Sequence, residues 1–376
     1  MRGNLLVTGA AGFIGSHLCA ALVCDGWDVI GLDNFDASYR RELKLANLWW
    51  IERIAATAAT KKPGSFRFCE QDACDLQAMR DCLKRHQPQS VFHLAARTGV
   101  RASIAQPRAF ADVNINGLLC VLEACRAAGC RRVVFASSSS VYGNATQAPF
   151  AENHCADDPI SPYAATKRAG EMICQAYAQT YGLRIGALRF FTVYGPAQRP
   201  DLAIASFMRL IDSGEAVPMF GDGTTSRDYT YVDDVVTGVL AAWQRVIAAP
   251  AVGDGGESGA GNISRAGELA GGGYFRVHNL GSDRPITLHE LIAAISNTVG
   301  RQATIQPMPM QTGDVMRTWA DLTRSRRELS FVPGTPLKIG LNRQWQAMVD
   351  SRDSIDGGDV PVVHTIDRQP ATARRQ

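Results

Sequence analysis

The sequence predicts an α/β fold: a doubly wound parallel sheet with a smaller α/β lobe beside it. Short apolar runs alternate with helical periodicity through the first half of the chain. A Gly9-x-x-Gly12-x-x-Gly15 repeat follows the first of those runs directly, and the regular alternation stops beyond Phe191.

Strand-like runs occur at residues 5–8, 28–32, 66–70, 90–94, 132–137 and 184–190. Helical patterns at 13–24, 40–60, 76–85, 114–128, 163–181 and 233–247 fall mostly between them. Right-handed crossovers leave few ways to arrange such a chain. After Phe191 the apolar pieces are short, a turn is expected at 221–223, and one further helix is expected at 288–299. The stretch 250–273 is rich in Gly, Ala and Ser with hardly a large apolar residue, so it reads as a flexible insertion. The charged, aperiodic tail 350–376 reads as disordered. The expected organisation is a sheet domain over 1–190, completed by 229–249, and a second lobe from 191–228 and 274–349.

Composition excludes several classes of function. With 376 residues, 46% hydrophobic and 20% charged, the chain can bury a large core. Its net charge of +3, from 39 basic and 36 acidic residues, provides no global field for nucleic acid. No apolar run nears the roughly 20 residues that cross a bilayer, and the first strand starts almost at Met1, so a cytoplasmic location without membrane contact is expected. All ten cysteines lie between Cys19 and Cys174 without a Cys-x-x-Cys pair, so neither a metal centre nor a disulfide framework is expected.

Two motifs carry chemistry. An isolated glycine repeat would only make a turn, but Gly9, Gly12 and Gly15 sit between a strand and a helix, as in a Rossmann-like dinucleotide site. There they allow a tight turn, close approach of a pyrophosphate and close helix packing. Asp33 ends the second strand, where a carboxylate would accept from an adenosine ribose and repel a 2′-phosphate, favouring NAD over NADP. Asp72 after the third strand, and Ala95 and Ala96 after the fourth, fall at the same edge. The second motif is Tyr163-x-x-x-Lys167, which places a phenol and an ammonium on one helical face. The charge is expected to lower the phenol pKa so that it serves as a base. The serine tract 137–140 precedes it.

With these residues in view, the chain resembles the extended short-chain dehydrogenase/reductase family, and most closely its NAD-dependent UDP-glucuronate 4-epimerases. The likeness runs from about Leu5 to Val349. It rests on TGAAGFIGSHL from Thr8, GLDNFD from Gly31, FHLAARTGVRAS from Phe92, FASSSSVYG from Phe135, SPYAATKRAGE from Ser161, LRFFTVYGPAQRPDLA from Leu188 and GDGTTSRDYTYVDD from Gly221.

The resemblance implies that NAD is held by Gly9, Gly12, Phe13, Ile14, Gly15, Asp33, Asn34, Asp72, Ala73, Ala95, Ala96, Asn114, Tyr163 and Lys167. It implies catalysis by Tyr163, Lys167 and Ser138. The smaller lobe would then hold a UDP-sugar, with Ser138, Ser139, Ser140, Thr192, Arg199, Arg227 and Asp314 around it. A homodimer through the helices at 114–128 and 163–181 is implied as well.

Within that family, Thr192 and Ser140 are short hydroxyl residues able to hold a sugar carboxylate. UDP-glucuronate decarboxylases resemble this pattern with Glu in place of Ser140, and neutral hexose epimerases with Asn in place of Thr192. Thr192 could equally pack beside the nicotinamide, and either arginine could be a solvated surface charge. A neutral UDP-hexose 4-epimerase and a UDP-glucuronate decarboxylase are therefore the competing readings. A dehydratase is disfavoured because the serine tract has no carboxylate. A sensor that only binds NAD would need no Tyr-x-x-x-Lys.

Overall fold

The computed structural model describes residues 3–57, 63–145, 147–249, 267–269, 272–311 and 313–356. Its centre is a seven-stranded parallel sheet. The strands are β1 (Asn4–Thr8), β2 (Asp28–Asp33), β3 (Phe66–Glu70), β4 (Ser90–His93), β5 (Arg132–Ser138), β6 (Arg184–Phe190) and an edge strand, Tyr274–Leu280, in the order edge-β6-β5-β4-β1-β2-β3. The order reverses at β1, and this reversal opens a crevice at the carboxyl ends of the strands.

Alternate residues along each strand face two separate cores. Leu5, Val7, Val29, Phe92 and Val134 belong to one; Leu6, Ile30, Val91 and Val133 belong to the other. The first core is closed by α1 (Phe13–Cys24), α2 (Arg41–Thr57) and a later helix, Val232–Ala248. The second is closed by α3 (Leu76–His86), α6 (Gly117–Ala128) and α7 (Pro162–Tyr181). Between β4 and α6 run α4 (Val100–Ala105), α5 (Pro107–Ala111) and one π turn, Asp112–Asn116.

The smaller lobe follows β6. It contains β7 (Thr192–Tyr194), α8 (Ala203–Ser213), β8 (Val217–Phe220) and β9 (Ser226–Tyr231), after which α9 (Val232–Ala248) returns to the main sheet. Beyond the edge strand, now β10, come β11 (Pro285–Thr287), α10 (Leu288–Val299), β12 (Ile305–Met308), α11 (Thr323–Leu329) and α12 (Leu337–Asp356). β7, β9 and β11 form one small sheet, and β8 and β12 another. A reciprocal capping box between Thr287 and Glu290 starts α10.

Several expectations need correcting. Residues 274–280 were placed in the smaller lobe, yet β10 pairs with β6 along its whole length and completes the main sheet. Its alternation is masked because Arg276, His278 and Asn279 interrupt the apolar residues; Arg276 and His278 are paired with Glu328, and Asn279 is hydrogen-bonded. The helix expected from 114 begins instead as a π turn, with regular α-helix from Gly117. The helix expected over 40–60 is described from Arg41 to Thr57. The tail expected to be disordered from 350 is helical as far as Asp356, because each added residue extends an existing helix and the first glycines come only at 357 and 358. Residues 357–376 and most of the 250–273 insertion lie outside the described residues.

Trp243 of α9 locks the first core. It is 1% exposed, its ring lies 5.1 Å from Trp27 and 5.4 Å from Phe92, and its indole N–H donates to Ser90 Oγ at 2.9 Å. Trp243→Ala is expected to cost about 3–5 kcal/mol through the cavity and the lost donor. A thermal midpoint close to that of the parent protein would contradict this packing role.

Candidate active site

The crevice at the carboxyl ends of β1 to β4 is a cavity of about 350 Å³. Gly9 has φ +73°, and a Cβ there would lie 2.8 Å from Ala95 N; a Cβ on Gly15 would collide with the Gly9 carbonyl. Only glycine lets the turn and the start of α1 close up in this way. The helix begins at Gly12 with no side-chain cap and no acidic residue in its first turn, so its free N–H groups are left for an anionic ligand. Uncapped helix end, glycine cradle and cavity together fit the pyrophosphate of a dinucleotide.

Gly9, Gly12, Phe13, Ile14, Gly15, Asp33, Asn34, Asp72, Ala73, Ala95, Ala96, Tyr163 and Lys167 all line this cavity. Asp33 is buried, accepts from Phe35 N at 2.8 Å and faces Lys44 Nζ at 3.4 Å. Asn34 donates to Asp72 at 3.0 Å. Asn114 stands behind the wall: its amide accepts from Arg97 N, donates to Arg97 O and reaches Thr166 Oγ1. It therefore fixes the 95–97 segment that lines the cavity. The π turn at 112–116 is what carries it there.

The residues expected to be catalytic converge from β5 and α7. Ser161 caps α7 by accepting from Ala164 N, and Pro162 occupies its first turn, so Tyr163 and Lys167 are presented at a well-defined helix start. Ser138 hydrogen-bonds Tyr163 and donates to Ser140 Oγ at 3.1 Å. Lys167 Nζ donates to the Ala136 carbonyl at 2.8 Å and lies 6.0 Å from the Tyr163 ring centre.

Burial pulls the Lys167 ammonium down to about 8. Contrary to expectation, the Tyr163 phenol in this state is raised: burial dominates, and the Ser138 hydrogen bond and the Arg199 charge only partly oppose it. The physical reason is that the cost of burying a phenolate outweighs the hydrogen bond and the charge that favour it.

A second, smaller cavity of about 140 Å³ adjoins the first. Ser139, Ser140, Arg227 and Asp314 line it, and Thr192 lines both cavities. Burial lowers the Arg227 pKa, and the guanidinium donates to the Ser226 carbonyl at 2.9 Å. Arg199 lies apart, lining the larger cavity with Ser138, held by Asp201 at 2.6 Å and by Thr98 Oγ1.

The structure adds residues that the motifs did not single out. Arg101 pairs with Asp314 at 3.0 Å. Arg97 reaches Asp36 at 2.8 Å beside the dinucleotide cavity. His93 hydrogen-bonds Thr8 Oγ1, and burial, then the Lys167 charge, push it down to about 3, so it is neutral. His93 and Arg101 lie within the FHLAARTGVRAS segment, but nothing in their spacing marks a role. Gly15→Ala is expected to weaken NAD binding more than about tenfold, roughly 1.4 kcal/mol. Fluorescence titration with NAD reads this directly, and an unchanged affinity would show that the cradle is not where the pyrophosphate sits.

The profile of the "NAD dependent epimerase/dehydratase family" matches residues 5–253. A UDP-glucuronate 4-epimerase of Thermodesulfobacterium geofontis is 34% identical over 91% of this chain and 94% of its own. UDP-glucuronate 4-epimerase 4 of Arabidopsis thaliana is 39% identical over 93% of this chain and 76% of its own. The UDP-glucuronic acid 4-epimerase of Bacillus cereus, solved with UDP-glucuronic acid and NAD, superposes with a TM-score of 0.76 at 30% identity, covering 91% of this chain and 98% of that one. With the glycine cradle, the acidic ends of β2 and β3 and the Tyr-x-x-x-Lys helix all at one sheet edge, this chain belongs to the NAD-dependent epimerase/dehydratase family.

Proposed function

We propose that this protein is an isomerase that interconverts UDP-glucuronate and UDP-galacturonate by inverting the 4-carbon of the sugar, with NAD retained throughout. The observation that carries the reading is Thr192, which lines both cavities while Ser140 and Arg227 line the smaller one. Two hydroxyls and a desolvated guanidinium suit a carboxylate.

NAD, when bound, supplies a hydride acceptor at C4 of the sugar, together with a positive charge that favours a phenolate. Tyr163 removes the 4-hydroxyl proton, and Ser138, hydrogen-bonded to that phenol, orients the hydroxyl. Lys167 keeps a positive charge beside the base. With NAD bound, oxidation at C4 would leave a 4-keto sugar; inversion would then need that sugar to turn about its diphosphate linkage, and Tyr163 would return the proton to the 4-oxygen as the carbonyl is reduced from its other face. Arg199 and Asp314 are assigned to the UDP moiety or the turning sugar, from their positions around the two cavities, and Arg227 to the sugar carboxylate beside Ser140 and Thr192.

A 4-keto uronate is a β-keto acid and loses carbon dioxide when its carboxylate bond aligns with the carbonyl π system. Ser140, Thr192 and Arg227 hold the carboxylate out of that alignment. Among the described residues no helix is long and apolar enough to cross a membrane. We assign a homodimer through α6 and α7: Met172 and Tyr181 of α7 are 58% and 46% exposed, and Arg126 of α6 stacks on Tyr181 at 5.2 Å.

Proton NMR of the purified protein with UDP-glucuronate and no added NAD is expected to show UDP-galacturonate appearing without UDP-xylose. UDP-xylose would make it a decarboxylase and overturn the role given to Ser140. No turnover here but conversion of UDP-glucose would make it a neutral hexose epimerase. Tyr163→Phe is expected to lower turnover by about 10²–10⁴ while NAD stays bound; turnover near the parent rate would remove Tyr163 as the base.

A further inference from the structure

Cys69 on β3 and Cys82 and His86 on α3 lie outside both cavities. The two sulfurs and one imidazole nitrogen are all within 4.8 Å of one another. Among the described residues no other three His, Cys, Asp or Glu donors converge in this way. The absence of Cys-x-x-Cys spacing hid the cluster, because the fold rather than the sequence brings its parts together.

Cys82 and His86 are four apart on one helical face, and Cys69 approaches from the adjoining strand. The Cys69 and Cys82 sulfurs lie within 4.8 Å of one another, and His86 Nε2 is 4.0 Å from Cys69 Sγ. The frame around them is fixed. The Asp75 side chain caps α3 by accepting from Gln77 N and Ala78 N, and Asn4 Nδ2 donates to the His86 carbonyl at 2.6 Å. Cys82 and His86 are buried and Cys69 is half-buried.

We propose that Cys69, Cys82 and His86 form a three-donor site for a thiophilic divalent ion, with Zn²⁺ the best match. Tetrahedral zinc holds thiolate sulfur at about 2.3 Å and imidazole nitrogen at about 2.0–2.1 Å, with water free to take the fourth position. Binding forms two sulfur–zinc bonds and one nitrogen–zinc bond, and the thiol protons pass to solvent. The ion joins β3 to α3 across the connection whose Gln71, Asp72, Ala73 and Cys74 line the dinucleotide cavity. It therefore braces that wall from behind.

The test is Co²⁺ titration of the full-length, NAD-loaded, phosphine-reduced protein, followed by displacement with Zn²⁺. A thiolate-to-cobalt charge-transfer band with four-coordinate d–d bands is expected, together with a higher thermal midpoint in Zn²⁺. Cys69→Ser should lose the band and the thermal shift while keeping the parent circular dichroism, and His86→Gln should weaken both. Cys155→Ser, at an exposed cysteine elsewhere, should keep both. No band in the parent protein, or an undiminished band in Cys69→Ser and His86→Gln, would overturn the proposal. So would rapid air oxidation to a Cys69–Cys82 disulfide that no Zn²⁺ concentration prevents.

Discussion

The arrangement of Ser138, Tyr163 and Lys167 depends on one buried carboxylate. Glu171 is 1% exposed and lies one helical turn beyond Lys167 and two beyond Tyr163. It accepts from Ser137 Oγ at 2.6 Å, from Arg189 through two nitrogens at 2.8 Å each, and from Arg168 at 3.2 Å. Ser137 precedes Ser138 on β5, and Arg189 lies three residues before Thr192. One side chain therefore sets the helix bearing Tyr163 and Lys167 against both β5 and β6. Desolvating a carboxylate costs several kcal/mol, and removing one partner of such a buried pair typically costs about 3–5 kcal/mol. Here burial raises the Glu171 pKa, but the Arg189 hydrogen bond and charge and the Ser137 hydrogen bond outweigh it and hold the group ionised.

The network does not end at Arg189. Its guanidinium lies 4.7 Å from the Tyr142 ring centre, and the Tyr142 hydroxyl donates to Asn279 Oδ1 at 2.7 Å. The Asn279 amide donates to the carbonyls of Phe150 and Asp321. The serine tract, the last strand of the main sheet and the approach to α11 are thereby registered to one another. Such a network has high stakes in both directions: fully paired it specifies one arrangement, and half-paired it would favour none. Burial also sets the proton chemistry, because the dry pocket that raises Tyr163 and lowers Lys167 also strengthens every charge placed inside it.

Most of the Rossmann half was legible in the sequence because its signals are local. An apolar strand, three glycines at fixed spacing and an acidic residue at the next strand end each act within a few residues. Tyr163, Lys167 and the serine tract were legible for the same reason. What stayed hidden depends on partners far along the chain. Asn114 is expected at the cofactor, and nothing local in the sequence shows that its side chain is also hydrogen-bonded to Arg97 and Thr166. β10 looked irregular because its polar residues are satisfied by Glu328, Phe150 and Asp321. The shift of Tyr163 was misjudged because the pattern shows that a charge is near but not how deeply the phenol is buried.

The position of β10 has a consequence for how the molecule is made. The main sheet leaves the chain at β6 and is completed only when Tyr274–Leu280 arrives, after much of the smaller lobe and the whole of α9. At synthesis rates of about 5–20 residues per second, the nascent dinucleotide half waits for several seconds with one edge of β6 unpaired. During that interval β6 is an open template for any other extended segment.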